Sequence, residues 1–262
     1  MKKSIFILFS LFLTILFISC ELFSKPMYTI SRDISGVLGS ISTEDLAGNI
    51  DKLATDPQKT ADILNELAGR NQDEISGLSL REKEKLLEAG VGAIIPTSKL
   101  GETVDTLLNG SDVDAKKIVD TLCGGTPDVN TKALETALRD PDVLANTDAS
   151  TLTMSAASLI VATVKSETKD GSVDDKMDAF TAAVEAAGGT ENFRESDFET
   201  QLRNNGFSES SISSLTTAMD TARVLTGTAG AGKPNRKADA ENIEFGGYSL
   251  KDLLDEMTGE KA

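Results

Sequence analysis

The chain has 262 residues and a formal net charge of −16, from 42 Asp and Glu residues against 26 Lys and Arg residues. An acidic protein repels phosphate backbones and anionic lipid headgroups, so the charge argues against binding to nucleic acid or to an acidic membrane surface. The sequence contains no histidine. This excludes Ser-His-Asp and Cys-His catalysis and histidine-ligated zinc.

The first twenty residues have the composition of an export signal. Lys2 and Lys3 are followed by an uncharged apolar run over residues 5–18. A transmembrane helix needs about 20 apolar residues, so this run is short for a bilayer span, and it has the length of a signal-peptide core. We therefore predict a signal peptide over residues 1–19.

The residues at the end of this run read Phe17-Ile18-Ser19-Cys20. They resemble the lipobox of bacterial lipoproteins, with a small residue before the cysteine and Phe17 where Leu is preferred. The resemblance implies that the leader is cut before Cys20, that diacylglycerol is attached to its thiol, and that the new amine is often acylated too. It implies a cell-envelope protein anchored to the inner or outer membrane, either periplasmic or surface-exposed. In the best-studied sorting rule for such lipoproteins, Asp directly after the cysteine retains the protein at the inner membrane. Here that residue is Glu21, so the resemblance leaves the choice of membrane open.

Beyond the anchor the composition divides the chain into four parts. Residues 20–41 lack a helical period and contain Pro26, which predicts a lipidated tether. Residues 42–225 show repeated helix signals and are predicted to form a helical domain, as one unit or as two subdomains. Residues 226–247 are rich in Gly, Ala and charge and are predicted to be a flexible linker, with a C-terminal amphipathic helix over 248–262.

Capping residues recur through the predicted helical domain. Each precedes apolar residues spaced three and four apart, as the start of an amphipathic helix requires. Gly90 is predicted to end the third of these helices, before a short apolar patch. The predicted caps are Ser42, Asp56, Ser79, Asp112, Asp140, Asp170 or Ser172, and Ser208.

Residues 149–165 are apolar or small nearly all round. Such a segment predicts a central helix that its neighbours bury, and it is too short to span a bilayer. Strand patterns are weak throughout the chain. We therefore predict an all-α fold, either a multi-helix bundle or an irregular helical array of roughly ten short helices.

Residues 227–233 read GTAGAGK and match the first seven positions of a phosphate-binding P-loop. The eighth position should be Ser or Thr, which holds Mg²⁺, and here it is Pro234. Proline also removes a backbone donor at the point where N–H groups should face phosphate. We therefore predict a flexible linker and no nucleotide binding.

Residues 166–177 partly match the twelve-residue calcium loop. Gly171 occupies the sixth position and Asp174 the ninth. Ser166 and Met177 stand at the first and twelfth positions, where Asp and a bidentate Glu are expected. The alternatives are a weak calcium site and a glycine turn followed by an acidic helix cap.

Acidic residues cluster at three further places. A pair of carboxyl groups can hydrolyse glycosides, but such sites normally need aromatic platforms, and this chain has no Trp. We therefore interpret these acids as solvated helix faces, and the second cysteine, Cys123, as a buried residue without a disulfide. The acidic clusters are Glu82, Glu84 and Glu88; Asp140 and Asp142; and Asp174, Asp175 and Asp178.

Three hypotheses follow, in this order. The first is a non-enzymatic, membrane-anchored envelope lipoprotein whose helical domain binds a protein partner or has a structural role, with no catalytic residue, cofactor or metal ligand assigned. The second is a lipoprotein that binds a small ligand or an ion, through residues 166–177 or an apolar cleft. The third is a hydrolase that uses carboxylates alone.

The predicted C-terminal helix carries four apolar residues on one face, which we call the C-terminal stripe: Leu250, Leu253, Leu254 and Met257. This stripe is predicted to dock on a partner or on its own domain.

Overall fold

The computed structural model describes residues 38–54, 56–95, 127–168, 173–241, 244–245 and 248–249. Over these ranges the chain forms a helical array, which confirms the all-α prediction. A 3-10 turn precedes the first α-helix, and a pair of two-residue antiparallel strands follows the last one. The elements are α1 (Thr43–Gly48), α2 (Ile50–Leu53), α3 (Pro57–Ala68), α4 (Gln72–Ser76), α5 (Leu80–Ile94), α6 (Lys132–Leu138), α7 (Pro141–Asn146), α8 (Ala149–Glu167), α9 (Val173–Ala186), α10 (Glu195–Asn204), α11 (Glu209–Thr226), α12 (Lys237–Glu241), β1 (Glu244–Phe245) and β2 (Tyr248–Ser249).

Within the described ranges, helices begin at the capping residues that the sequence predicted. The side chains of Ser42, Asp56 and Ser208 each accept a hydrogen bond from the backbone N–H three residues further on. Ser79 forms a capping box, in which the Glu82 carboxylate also accepts the Ser79 backbone N–H. These side chains satisfy backbone donors that the first turn of a helix otherwise leaves free.

The central helix of the array is α8. Fifteen of its nineteen residues are buried, as the apolar pattern of 149–165 predicted. Its most extensive contacts are with α5 and α11. Ala, Ser and Thr supply much of the buried surface of both α8 and α11. Because these side chains are small, the two helices pack closely, and the buried apolar residues between Leu38 and Ala240 form one contiguous cluster.

The fifth helix continues past Gly90, where the sequence predicted its end. Gly90 is buried inside α5, and a Cβ atom at this position would lie 2.5 Å from Cδ2 of Leu134 in α6. The missing side chain thus makes room for a neighbouring helix rather than for a turn. Residues 91–94 form the last helical turn, because burial of this apolar patch outweighs the low helix propensity of glycine.

The described part of residues 226–247 packs against the helical domain, whereas the sequence predicted a flexible linker there. Gly227 ends α11 in the left-handed conformation, with φ of +73°. Ala240, in α12, is buried in the common core. The segment has few apolar side chains, so its composition resembles that of a linker, and its attachment depends on polar contacts that composition does not reveal.

Several predictions concern residues outside the described ranges. These are the signal peptide and Cys20, the tether up to residue 37, the helix predicted to begin at Asp112 together with Cys123, the predicted cap at Asp170 or Ser172, and the C-terminal stripe. The predicted C-terminal helix was to begin at residue 248, where the structure has β2. Within the described ranges, no helix is both long enough and apolar enough to cross a membrane.

Candidate functional site

Positively charged side chains cap the C-terminal ends of other helices. Lys85 of α5 donates to the carbonyl oxygen of Gly48, the last residue of α1, at 2.6 Å. Lys83 of the same helix donates to the carbonyl of Ser76, the last residue of α4, also at 2.6 Å. The carbonyl end of a helix carries partial negative charge, so an ammonium group is stabilised there.

Lys83 also connects α5 to the start of α7. Its side chain is only 4 % exposed, and its ammonium group donates to the carboxylate of Asp140, which caps α7. Burial raises the pKa of Asp140, but the hydrogen bond and the charge from Lys83, with backbone N–H donors of α7, outweigh burial and lower this pKa. A buried lysine is tolerated here because its charge is paired and hydrogen-bonded.

Arg236 caps the C-terminal end of α7. One terminal nitrogen of its guanidinium donates to the carbonyl oxygens of Leu144, Ala145 and Thr147, at 3.1, 2.8 and 3.0 Å. The same side chain donates through Nε to Asp239 in α12. This one arginine therefore ties the segment after α11 to a helix about ninety residues earlier in the chain.

A second group of charges lies where α8, α9, α10 and α11 meet. Glu167 ends α8, and its Oε1 accepts hydrogen bonds from the Ser208 backbone N–H at 3.0 Å, the Ser208 hydroxyl at 2.6 Å and the Ser211 hydroxyl at 2.5 Å. The carboxylate thus lies at the N-terminal end of α11, where the helix carries partial positive charge. We name Glu167, Lys176, Phe207, Ser208 and Ser211 the four-helix node.

Lys176, in α9, is the positively charged member of the four-helix node. Its ammonium nitrogen lies 4.0 Å from Oε2 of Glu167 and 4.6 Å from the centre of the Phe207 ring. It also lies 3.3 Å from the carbonyl oxygens of Asn205 and Gly206, after the end of α10. Burial raises the pKa of Glu167, but the hydrogen bonds of the node and the Lys176 charge outweigh it and lower this pKa.

Glu135 is the most deeply buried carboxylate in the described ranges, with a side chain that is 2 % exposed. It joins α6 to α11, because its two oxygens accept hydrogen bonds from Ser213 at 2.5 Å and from Ser214 at 3.1 Å. The charged nitrogens of Arg139 and Lys132 lie 2.8 and 3.4 Å from Oε1 of Glu135. The charge is therefore paired and both oxygens are bonded, as a buried carboxylate requires.

A cleft of about 260 Å³ lies between α3, the end of α5, α8 and residues 127–130. Its polar lining includes Asn65, whose amide donates to the carbonyl oxygen of Asp128 at 3.1 Å and accepts the Asn130 N–H at 2.6 Å. Lys165 forms an ion pair with Asp128 at 3.2 Å. Apolar side chains supply much of the rest of the wall: Ile94, Val129, Val161 and Ala162.

The calcium-like segment is divided between two helices and residues outside the described ranges. Ser166, at its first position, lies inside α8 and donates to the carbonyl oxygen of Thr163 at 2.8 Å. Met177, at its twelfth position, is buried in α9. Residues 169–172, which include Gly171, are not described. In the ranges that are described, no three Asp, Glu or Cys side chains converge as metal ligands do.

The P-loop-like sequence follows a helix rather than a strand. Gly227 is the C-terminal cap of α11, so the loop begins at the carbonyl end of a helix, which carries partial negative charge. Lys233 lies 4.0 Å from the carboxylate of Asp220. The phosphate-binding motif needs the opposite arrangement, with the loop leading into the N-terminal end of a helix.

The acidic clusters predicted as solvated faces have different local roles. Glu82 belongs to the capping box of α5, and Asp140 pairs with Lys83 at the start of α7. Asp175 and Asp178 are exposed on α9. The acids at helix starts are therefore structural caps, a role that the sequence predicted for Asp140 and that the spacing of Ser79 and Glu82 also indicates.

Sequence patterns did not identify the charges that join distant helices. Glu135, Glu167 and Arg236 bond to partners 78, 41 and about 90 residues away in the chain. The signal in the neighbouring sequence is a charged residue among apolar or helix-capping residues, and this signal does not indicate which residue the charge binds.

Comparison of this chain with protein families, with curated proteins and with solved structures found no match.

Proposed function

We propose that this chain is a membrane-anchored lipoprotein of the bacterial cell envelope, whose helical domain acts without catalysis by binding a protein partner or by a structural role. The observation that carries the proposal is the order of elements at the start of the sequence: Lys2 and Lys3, the apolar run over 5–18, then Ser19-Cys20. Burial of acyl chains contributes about 0.8 kcal/mol per CH₂, so two or more chains hold a protein firmly on a membrane.

The use of buried and partly buried charge supports a binding or scaffolding role. Lys83, Glu135, Glu167 and Arg236 are each engaged with the end or side of another helix. These groups hold a set of short helices in fixed positions, and a rigid helical array presents a defined surface to a partner. The anchor at Cys20 would keep that surface close to the membrane.

The anchor is tested by the intact mass of the mature protein extracted from its native membrane. We expect a mass that corresponds to cleavage before Cys20 plus diacylglycerol, with or without an amide-linked acyl chain. The matched control is Cys20→Ser, which we expect to lose the acyl mass. A wild-type mass without lipid would reject the anchor and favour a secreted protein.

The partner is tested separately, by cross-linking in intact cells. Wild-type protein and the Cys20→Ser variant are cross-linked, and the adducts are identified by mass spectrometry. We expect a discrete protein adduct that depends on the anchor. Adducts that are equally abundant in the variant would show that membrane attachment is not needed for the interaction, and the absence of any discrete adduct would argue against a protein partner.

A second candidate function is binding of a small ligand or ion, which the cleft beside Asn65 and Lys165 favours. The cleft combines apolar walls with a paired ammonium and carboxylate, which suits a small ligand that carries both polar and apolar groups. Native mass spectrometry of the protein from its own membrane would detect a ligand that copurifies. Melting temperatures measured in calcium and in EDTA test whether the protein binds calcium. Equal values would reject a calcium site.

A further inference from the structure

Residues 227–241 leave the end of α11 and return along the domain to α7. The backbone N–H of Arg236 donates to the carbonyl oxygen of Val224 at 3.0 Å. Its guanidinium binds three carbonyl oxygens at the end of α7, and its Nε binds Asp239. A single residue thus joins this segment to α11 and to α7, and also stabilises α12.

The apolar contribution of the segment comes from small side chains. Ala240 is buried, and Ala229 and Pro234 are half-buried. By comparison, α11 alone buries three long aliphatic side chains completely or nearly so, Ile212, Leu215 and Leu225. Hydrophobic stabilisation grows with the apolar area removed from water, so the segment gains far less from burial than a core helix does.

The segment also contains a point about which it can turn. A Cβ atom at Gly230 or at Gly232 would meet no other atom within 4 Å, and residues 230–233 are exposed. Gly232 has φ of +85°, a conformation that glycine adopts without strain. The backbone here is therefore free of packing constraints that would oppose a change of direction.

We propose that residues 233–241, which follow the glycines at 230 and 232, form a strap that opens as a unit while the helical domain stays folded, and that the contacts of Arg236 control its opening. Opening breaks the three hydrogen bonds to the carbonyl oxygens of α7, the backbone hydrogen bond from Arg236 to Val224 and the contact of Lys233 with Asp220. It also separates α12 from α8 and α11. Segments with little apolar burial open locally at lower free energy than the core of a protein does. The strap is a conformational device that depends on the contacts of Arg236 and not on the proposed lipid anchor.

Hydrogen exchange of backbone amides in the mature protein tests the proposal. In the wild type we expect the amides of residues 236 and 240 to exchange faster than those of α8. In Arg236→Ala we expect their exchange to accelerate by roughly tenfold or more, because hydrogen bonds from a charged donor are lost. The amides of α8 should keep their wild-type rates.

The matched control is Arg203→Ala, which removes an exposed arginine that pairs with Glu209 on the surface. We expect this variant to leave exchange at residues 236 and 240 unchanged. The proposal is overturned if Arg236→Ala leaves the strap amides at their wild-type rates. It is also overturned if the α8 amides accelerate to the same degree, or if the variant does not fold, because opening of the segment would then not be separable from unfolding of the domain.

Discussion

Glu167 and Ser208 connect the end of the central helix to the beginning of α11. The Glu167 carboxylate accepts both the backbone N–H of Ser208, at 3.0 Å, and its hydroxyl, at 2.6 Å. Ser208 is itself the N-cap of α11, and Glu167 therefore acts as a second cap that arrives from another helix. A charged acceptor at a helix N-terminus is stabilised by the aligned backbone dipoles, so this contact combines local capping with tertiary packing.

We predict that Glu167→Gln destabilises the protein at neutral pH by about 1–2 kcal/mol, because charge-assisted hydrogen bonds are lost. The folded state lowers the Glu167 pKa from its ordinary value of 4.5. The ionised carboxylate therefore stabilises the fold above that value, and this contribution disappears as the pH falls through the folded-state pKa. Urea unfolding at several pH values measures both effects.

The control for this pH dependence is Glu185→Gln, which makes the same chemical change at an exposed position of α9. Its free energy of unfolding should track that of the wild type across the pH series. If the difference between wild type and Glu167→Gln stayed constant from neutral pH to acid, the carboxylate charge would not be the source of the stabilisation.

We predict that Glu135→Leu costs about 1–3 kcal/mol, because the hydroxyls of Ser213 and Ser214 lose a charged acceptor at a buried position. Ser214→Ala alone should cost about 1 kcal/mol, the usual value for one hydrogen bond. Denaturant unfolding of both variants and of the double variant gives the coupling energy between the two positions. Strict additivity would show that the hydrogen bond between Glu135 and Ser214 does not itself contribute to stability.

We predict that Gly90→Ala destabilises the protein by about 1–3 kcal/mol, although alanine is the better helix former, because the new methyl group overlaps Leu134. Gly48→Ala is the control, since its Cβ atom would lie at an ordinary distance of 3.5 Å from Glu82. Combining Gly90→Ala with Leu134→Ala should cost less than the sum of the two single changes. A stabilised Gly90→Ala variant would mean that helix propensity, not packing, dominates at this position.

We predict that Ser158→Ala changes the free energy of unfolding by less than about 0.5 kcal/mol, or increases it. Ser158 is fully buried in α8, and its hydroxyl has no hydrogen-bond partner among the described residues. Thr153→Val is the comparison in the same helix, because the Thr153 hydroxyl donates to the carbonyl oxygen of Ala149 at 2.6 Å. Thermal or urea unfolding of the two variants compares them, and a large loss in Ser158→Ala would reveal a polar contact at that site.

Much of the secondary structure was predictable from the sequence because its signals are local. The caps Ser42, Asp56 and Ser79 bond to backbone groups three residues away, so the spacing itself contains the information. Gly90 was misread because a glycine that ends a helix and a glycine that admits a neighbour have the same local sequence. Only the position of Leu134, in a different helix, distinguishes the two cases.

By itself, the sequence determined the helical class of the domain, most helix starts, the buried character of the segment over 149–165 and the resemblance of its first twenty residues to a lipoprotein leader. These properties depend on composition and on spacing within a few residues. The tertiary structure alone decided that Glu167 caps α11, that Glu135 joins α6 to α11 and that Arg236 binds the end of α7. Each of these contacts joins residues that only packing of the helices brings together, and their spacing in the chain therefore contains no signal of the pairing.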